Sequence, residues 1–475
     1  MRKIRVAVCA AARDVTPEFE NAGLGDRRLD ERLALIAGRL AGRPEMSFPR
    51  AAANDSELEA TYRFLNNARA TPGAILRPHV RETVRRSGEA SRLIVAHDTT
   101  EFNFGKTSRR DLARVGQCQS FGFYGHFALA VDSGDCARAP LGVLGCVIQQ
   151  RTGKTKGDRS GGLALQLDPT NERLRWPALV DQVEATLHDA RPIHVMDREG
   201  DSYRILAHLV RRGSRFVVRM NAGDRPLSGG EEGVGDVMKR TPVVAKRDVP
   251  ISERRRSPMP TYRRTYPSRR ARTATLHVSA GEVVITRPRS SSRTPEPELK
   301  LNFVRVFEPK APRGENAIEW RLWTTEPIAT ADDILGIVDD YRWRWRIEEF
   351  FKALKTGCRM ESRQLETHRA LVNALALLAP IAWRLLRLRV FGKDDAARPA
   401  SSVLTPVQLI CLAGALRKKK KPPLPPRPTA RDAMRGVAAL GGHLPRNGDP
   451  GWIILGRGLD DLLKIELGFT LASEM

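Results

Sequence analysis

The stretch "PIHVMDREGDSYRILAHLVRRGSRFVVRM", residues 192–220, decides the fold of this 475-residue chain. PIHVM is a short apolar run that predicts a buried strand, and Asp197 follows it directly. SYRILAHLVRRG repeats apolar residues at helical spacing, and RFVVRM is again typical of a strand. Strand, helix and strand in succession favour a sheet covered by helices.

The residues before this stretch extend the pattern. Residues 15–90 repeat apolar residues at helical spacing and predict a helical region. Three strands and a helix are predicted next, in the segments SRLIVAHD (91–98), FGFYGHFALAVD (121–132), PLGVLGCVIQQ (140–150) and WPALVDQVEATLHDA (176–190). The fold class predicted for the chain is therefore multidomain α/β.

The second half of the chain is less regular. Residues 221–320 predict a β-rich insertion with strands at ATLHVSA and EVVITRP and a basic loop, for which disorder is the alternative, over 252–272. Residues 331–356 predict one long helix, and RKKKKPPLPPRP (417–428) a linker. We divide the chain into a helical N-terminal domain at 1–75, a core in two parts at 76–220 and 326–395, the insertion at 221–325 and a helical C-terminal domain at 396–475.

The charge of the chain indicates what kind of partner it binds, and its cysteines indicate whether metal sites or disulfides are expected. The formal charge is +25 and the pI about 10.5, which favours a polyanionic partner such as DNA. The six cysteines are scattered without a C-x-x-C pair, so neither a zinc module nor a disulfide framework is expected. The N-terminal segment is too short in its apolar run to predict export, and LVNALALLAPIAW (371–383) predicts a buried helix rather than a membrane span.

Two acidic residues follow apolar strands, Asp98 and Asp197. Either one alone is more typical of a helix N-cap. Together they indicate a site for a hard cation, because Mg²⁺ prefers oxygen ligands, and a third carboxylate would complete a two-metal site for phosphoryl transfer.

The segment YRWRWRIEEFFKALK (341–355) can supply that carboxylate. On a wheel of roughly 100° per residue, Tyr341, Arg344, Glu348 and Lys355 share one narrow stripe, whereas Glu349 lies off it. A second, apolar stripe predicts the buried face, with Trp343, Ile347, Phe350, Phe351 and Leu354. The alternative is an ordinary amphipathic helix with a plain Arg344–Glu348 pair.

These residues resemble the DDE acids and the YREK signature of the insertion-sequence-four family of bacterial transposases. The likeness includes HDTTEFNF and DREGDSY around the aspartates, WRIEEFFKALKTGC around the glutamate, and LGDRRLDERL, ATYRFLNN and LGGHLPRNGDPGW nearer the ends of the chain. It implies a ribonuclease-H-like catalytic core with a β-rich insertion, flanked by helical N- and C-terminal domains. It also implies that Asp98, Asp197 and Glu348 are catalytic and bind two Mg²⁺ (or Mn²⁺) ions.

The resemblance further implies partners and roles. Tyr341, Arg344 and Lys355 would contact DNA phosphates, and Trp320 would stack on a base flipped out during hairpin formation. Candidates for DNA-end binding are four arginines in the N-terminal segments: Arg27, Arg28, Arg32 and Arg63. The predicted protein is a cut-and-paste transposase that binds transposon ends and target DNA as a homodimer in the bacterial cytoplasm. The alternatives are a nuclease of related fold and a catalytically silent, transposase-derived repressor or inhibitor.

Overall fold

The computed structural model describes residues 16–41, 44–106, 111–116, 120–135, 137–150, 172–188, 190–221, 225–230, 232–260, 263 and 267–473. The N-terminal segment on which the export prediction rests lies outside these residues, as do Cys9, Cys118 and Cys136. The three described cysteines, Cys146, Cys358 and Cys411, carry free thiols.

We number the helices and strands in chain order. The helices are α1 Arg27–Ala41, α2 Phe48–Ala51, α3 Asp55–Leu65, α4 Pro72–Ser87, α5 Arg175–Leu187, α6 Tyr203–Arg212, α7 Val234–Arg240, α8 Ala331–Trp343, α9 Trp345–Lys352, α10 His368–Asp394, α11 Pro406–Lys418, α12 Ala430–Leu440 and α13 Trp452–Ser473. The strands are β1 Leu93–Asn103, β2 Ala113–Val115, β3 Ser120–Asp132, β4 Ala139–Gln149, β5 Ile193–Met196, β6 Arg215–Arg219, β7 Ala245–Ile251, β8 Arg272–Thr286, β9 Glu298–Phe307 and β10 Glu319–Thr324.

The chain forms two compact units. The first comprises Met1–Lys154, Asp181–Ala190 and Trp345–Met475, and the second comprises Thr155–Val180 and Arg191–Arg344. The order of helices and strands confirms the mixed α/β class predicted from the sequence. The finer division into five sequence domains stays a prediction.

Antiparallel strands form the sheet of the first unit. Strand β3 pairs with β1, β2 and β4, and its buried positions are almost continuous, which is typical of a strand covered on both faces. Helices α4 and α10 pack against β4, while α1 and α3 pack against α10. In the first unit α4 therefore packs directly on the sheet, while α10 contacts both the sheet and the helices α1 and α3.

Helix α10 is the one described helix long and apolar enough to cross a membrane by length and composition. Its apolar window is 94% buried within the protein, in agreement with the buried helix predicted for 371–383. Inside it, the buried Asn373 side chain donates to the carbonyl oxygens of Leu65 and Ala70, so the helix is anchored to the N-terminal region by polar contacts as well.

The second unit has six strands in the order β5-β6-β10-β9-β8-β7. Strands β5 and β6 are parallel, and α6 connects them, as the opening stretch predicted. Gly213 ends α6 with φ +68°, a left-handed conformation that glycine adopts without steric cost. One core holds the sheet and its helices together, with Trp176 from α5, Phe216 from β6 and Trp323 from β10 among its fully buried members.

The β content predicted for the insertion is confirmed, but the division into two strands is wrong. ATLHVSA and EVVITRP belong to a single strand, β8, which runs 15 residues through Gly281. A β pattern is read from alternation, and Gly281 interrupts the alternation without ending the strand; an added Cβ there would lie 3.0 Å from the Phe303 ring. In the basic segment, Arg254 and Arg269 pair through both backbone hydrogen bonds, at 2.9 and 3.0 Å.

The single helix predicted over 331–356 is wrong in detail. Helix α8 ends at Trp343 and α9 begins at Trp345; between them Arg344 keeps helical angles, φ −50° and ψ −31°. After α9, residues Ala353–Gly357 form one π turn, closed by the Cys358 N–H on the Ala353 carbonyl at 2.8 Å. A π turn adds a residue to the turn, so side chains beyond it leave the stripe drawn at 100° per residue.

Candidate functional site

Asp98 lies in the middle of β1 rather than at its end, which corrects the sequence prediction. The buried apolar run does end there, because Ile94 to His97 are buried and Asp98 to Glu101 are only half-buried. The Asp98 Oδ1 atom accepts the Thr99 backbone N–H at 2.8 Å. The carboxylate therefore stands where β1 changes from core strand to partly exposed strand.

Phe127 shows which face of the sheet carries Asp98. It is the direct antiparallel partner of Asp98 on β3, so the two side chains share one face. The Phe127 ring contacts the rings of Phe350 and Phe351 on α9, with centroids 5.5 and 5.8 Å apart. Asp98 therefore lies on the face of the sheet that α9 covers.

Glu348 is in the first turn of α9, the helix packed against β1. The predicted apolar face of this helix is confirmed at Ile347, Phe350, Phe351 and Leu354, which are buried, whereas Trp343 on α8 is half-buried. Burying that face against the β1–β3 layer fixes the rotation of α9, and it leaves Glu348 half-buried at the margin of the contact.

Lys355 lies in the π turn and is directed to the same part of β1. Its ammonium group donates to the Glu101 carbonyl oxygen, lies 3.4 Å from Glu361 Oε1 and is 5.3 Å from the centroid of the Phe102 ring. Phe102 follows Asp98 by four strand positions and so shares its face. Strand β1 and the α9 region thus bring three of the predicted site residues to one part of the first unit: Asp98, Glu348 and Lys355.

Asp197 belongs to the second unit and follows β5 directly. Its Oδ1 atom accepts the Glu199 backbone N–H at 2.9 Å, which caps a short 3₁₀ turn over Arg198–Gly200. The capping role considered in the sequence analysis is therefore observed. Capping occupies one carboxylate oxygen and is compatible with ligand binding by the other.

Trp320, Tyr341 and Arg219 form a cluster in the second unit. The rings of Trp320 and Tyr341 meet edge to face with centroids 5.4 Å apart, and the Arg219 guanidinium lies 5.8 and 6.0 Å from the two ring centres. Trp320 is half-buried, whereas Tyr341 is only 6% exposed and so belongs to the core side of α8.

Arg219 was not selected from the sequence. The signal available was a basic residue at the end of the apolar run RFVVR, the same position relative to a strand that drew attention to Asp197. A guanidinium beside two rings is suited to a phosphate or a nucleobase, because it combines donors with a stacking plane.

The remaining predicted residues are dispersed. Arg344 is half-buried at the junction between α8 and α9. Arg27 is exposed and pairs with Glu31 at 3.1 Å, and Arg63 is exposed and pairs with Glu59 at 3.7 Å. Arg28 is exposed and Arg32 half-buried, both on α1. Exposed pairs of this kind contribute little to stability, so these cations can exchange their partners for phosphates.

The donor set is chemically suited to a hard divalent cation. Asp98, Asp197 and Glu348 offer carboxylate oxygens, the ligands that Mg²⁺ and Mn²⁺ prefer. Within the described residues, no three His, Cys, Asp or Glu side chains are grouped closely enough to form a ready metal cluster. The assignment of these three acids as metal ligands stays a prediction.

Comparison with known families places two domains on the chain. Residues 13–70 match the family described as transposase DNA-binding, and residues 163–383 match the transposase DDE domain. The first match includes all four N-terminal arginines, and the second includes Asp197, Trp320 and Tyr341 to Lys355. A DNA-binding domain joined to a DDE domain defines an enzyme that cleaves DNA. The chain is a DDE transposase.

One solved structure with a detectable likeness is a cryo-EM structure of a piggyBac transposase synaptic complex with hairpin DNA. The match has a TM-score of 0.33 and 11% sequence identity, over 77% of this chain and 67% of the other. A likeness this distant assigns neither the details of the fold nor the substrate.

Proposed function

We propose that this transposase belongs to the insertion-sequence-four family, in the neighbourhood of the transposase of transposon five, and moves a DNA element by cut and paste. It would bind the terminal repeats of the element, cleave both strands through a DNA hairpin and join the free 3′-OH ends to target DNA. The observation that carries the proposal is that the Glu348 helix covers the face of β1 that bears Asp98, with Lys355 on the same face.

Within a ribonuclease-H-like core, Asp98, Asp197 and Glu348 would hold two Mg²⁺ (or Mn²⁺) ions. The ions would activate water or a DNA 3′-OH as nucleophile and stabilise the leaving oxygen. The chain contributes by fixing its carboxylates in advance: Asp98 is held by the Thr99 N–H, Asp197 by the Glu199 N–H, and Glu348 by the buried apolar face of α9.

Cations and rings would hold the DNA beside these acids. Lys355 and Arg344 would bind backbone phosphates on either side of Glu348, while the Trp320 ring would receive the flipped base of the hairpin step. The edge-to-face contact with Tyr341 orients the indole, and Arg219 adds a guanidinium at 5.8 Å from its centre. Tyr341 would then act on DNA mainly by holding Trp320 in position, because its own side chain is largely buried.

The working form would be a homodimer on DNA, as the resemblance implies. The C-terminal helices offer a surface suited to a second copy: Ile410 on α11 is 58% exposed, and Ile453 and Phe469 on α13 are 42% and 46% exposed. Helices α11 and α13 pack against each other, so these side chains belong to one helical layer. We place the protein in the bacterial cytoplasm, in association with the nucleoid.

The test is cleavage of linear DNA that carries the element's own terminal repeats, with Mg²⁺ present. We expect hairpin-ended products from the wild-type protein and none from Glu348→Gln. Glu349→Gln is the matched control, because Glu349 pairs with the buried Arg346 at 2.6 Å and so has a structural role. We expect that variant to cleave. Binding of the repeats without cleavage by the wild-type protein would instead indicate the catalytically silent repressor or inhibitor.

A further inference from the structure

A cationic pocket lies in the first unit, apart from the acidic residues described above. Its volume is about 200 Å³, and two segments far apart in the sequence line it: Glu45, Met46, Ser47 and Arg50 from one, Arg359, Ser362 and Arg363 from the other. One water needs roughly 10–15 Å³ of such space, so the pocket can hold a phosphate group together with several waters.

Arg363 forms the base of the pocket and joins the two segments. Its side chain donates to the carbonyl oxygens of Met46, of Pro44 at 2.6 Å and of Cys358 at 2.7 Å. It is only 4% exposed, and its Nε–H has no acceptor among the described residues. A buried donor without a partner costs free energy, and a ligand oxygen would remove that cost.

Among the described residues, no carboxylate pairs with Arg363, whose guanidinium lies 5.4 Å from the centroid of the Phe48 ring. Carbonyl oxygens accept its hydrogen bonds but do not neutralise a cation, and none of its described contacts is a carboxylate. Burial is the main reason that the pKa of Arg363 is lowered to about 10; Cys358 opposes the shift and the nearby Arg359 adds to it. An anion in the pocket would offset both the desolvation of the Arg363 guanidinium and its repulsion from Arg359.

The rim adds two more arginines and two hydroxyls. Arg50, Arg359, Ser47 and Ser362 are all exposed. The one carboxylate in the lining, Glu45, lies 3.4 Å from Arg457, so its charge is balanced from outside the pocket. The lining therefore carries three cations against one anion that has its own partner, an arrangement suited to a phosphate with two negative oxygens.

Arg359 has a backbone conformation that is unfavourable for residues other than glycine. Its φ is +50°, in the left-handed region that favours glycine. Glycine at this position would relax the backbone and remove the guanidinium at once. This separates the binding role of the side chain from any role in folding.

We propose that this pocket binds a phosphate group of the DNA backbone, and this inference rests on the DNA-cleaving function proposed above. The site is a positioning contact, made by Arg359 and Arg363 with the Ser47 and Ser362 hydroxyls. It reads no base, since phosphate contacts fix register and orientation without sequence information. The pocket joins the N-terminal region to the turn that follows α9, so a phosphate bound there would couple DNA-end binding to the part of the chain that carries Glu348.

The experiment compares Arg359→Gly with Lys420→Gly in the full-length protein. Lys420 is a matched control because it is also basic and exposed, and its φ is +52°. Melting curves are recorded with increasing inorganic phosphate. We expect the wild-type protein and Lys420→Gly to gain thermal stability with phosphate, and Arg359→Gly to melt at or above the wild-type temperature without phosphate and to show no gain with it.

The second part measures the salt dependence of binding to duplex DNA. One phosphate contact accounts for about 0.9 in the slope of log K against log salt, so we expect the slope to fall by about 1 in Arg359→Gly. Loss of the phosphate response with an unchanged DNA slope would overturn the DNA assignment and leave a site for a free anion. No phosphate response in the wild-type protein, with equal DNA slopes, would overturn the site altogether. A phosphate response in a protein that cleaves no DNA would overturn the proposed function and leave the anion site standing.

Discussion

Replacing Glu18 by Gln is expected to destabilise the contact between the N-terminal region and the sheet of the first unit. Glu18 is 6% exposed and accepts from Arg86 Nη1 at 2.7 Å and from His79 Nδ1 at 2.5 Å. The other ring nitrogen of His79, Nε2, accepts the Val143 N–H at 2.9 Å. The Nδ1 side of His79 therefore contacts Glu18 while its Nε2 side contacts β4, and Arg86 adds a guanidinium to the same carboxylate.

The size of the expected loss of stability follows from the pKa of Glu18. Burial alone would raise it, but His79 and Arg86 lower it from 4.5 to about 2. Because the pKa of Glu18 is lower in the folded state, ionised Glu18 stabilises the folded protein at pH values above its pKa in the unfolded state. That stability is lost as the pH falls toward the pKa in the folded state. A shift of this size corresponds to about 3 kcal/mol at neutral pH, of which roughly 1.4 kcal/mol remains at pH 3.

Hydrogen exchange of peptides that contain Val143 is the assay, since that amide donates directly to His79. We expect exchange in Glu18→Gln to be roughly a hundredfold faster than in the wild-type protein at pH 7, and the difference to shrink between pH 5 and pH 3. Glu20→Gln is the control, because Glu20 is exposed two residues away. Equal exchange at pH 7, or a difference that does not change with pH, would refute the assigned network.

Three further predictions, one of them with a control substitution, test the structure. Gly458→Ala should destabilise the C-terminal helices by several kcal/mol, because an added Cβ would lie 1.8 Å from the Val437 carbonyl oxygen; Gly468→Ala, with nothing within 4 Å, should raise the melting temperature slightly. Arg346→Ala should lower the urea midpoint, with a loss of about 1–3 kcal/mol of stability, because it removes a buried guanidinium that contacts Glu349 Oε2 at 2.6 Å and Asp394 Oδ2 at 2.5 Å. Under the proposed hairpin mechanism, Trp320→Ala should retain the first nick but reduce hairpin formation roughly tenfold, as loss of one stacking contact implies, and a gel of cleavage products measures both.

The sequence was sufficient for most local structure. Alternation and helical spacing predicted the β5–α6–β6 unit, the strands β1, β3 and β4, and the buried helix α10, because each signal lies within one element. Where a signal depends on partners elsewhere, prediction failed. Strand β1 continues past Asp98 because residues as far as Asn103 pair with β3, and the two strands predicted in the insertion are one because β9 pairs with β8 without a break from His277 through Gly281 to Thr286.

The candidate site divides in the same way. The identities of Asp98, Asp197, Glu348 and Lys355 could be selected from strand ends, a helix wheel and a family resemblance. The wheel assumed one continuous helix, however, and the helix is interrupted at Arg344 and again at the π turn, which changes the direction of side chains beyond it.

The sequence by itself determined that this protein is basic, mixed α/β and equipped with a transposase signature. Only the tertiary structure decided that Tyr341 is buried beside Trp320, that Arg219 joins them, and that Arg363 makes a cationic pocket with residues more than 300 positions away. Periodicity reports the next few residues of one element. Burial, charge compensation and pocket shape depend on contacts between distant segments, and no local pattern contains that information.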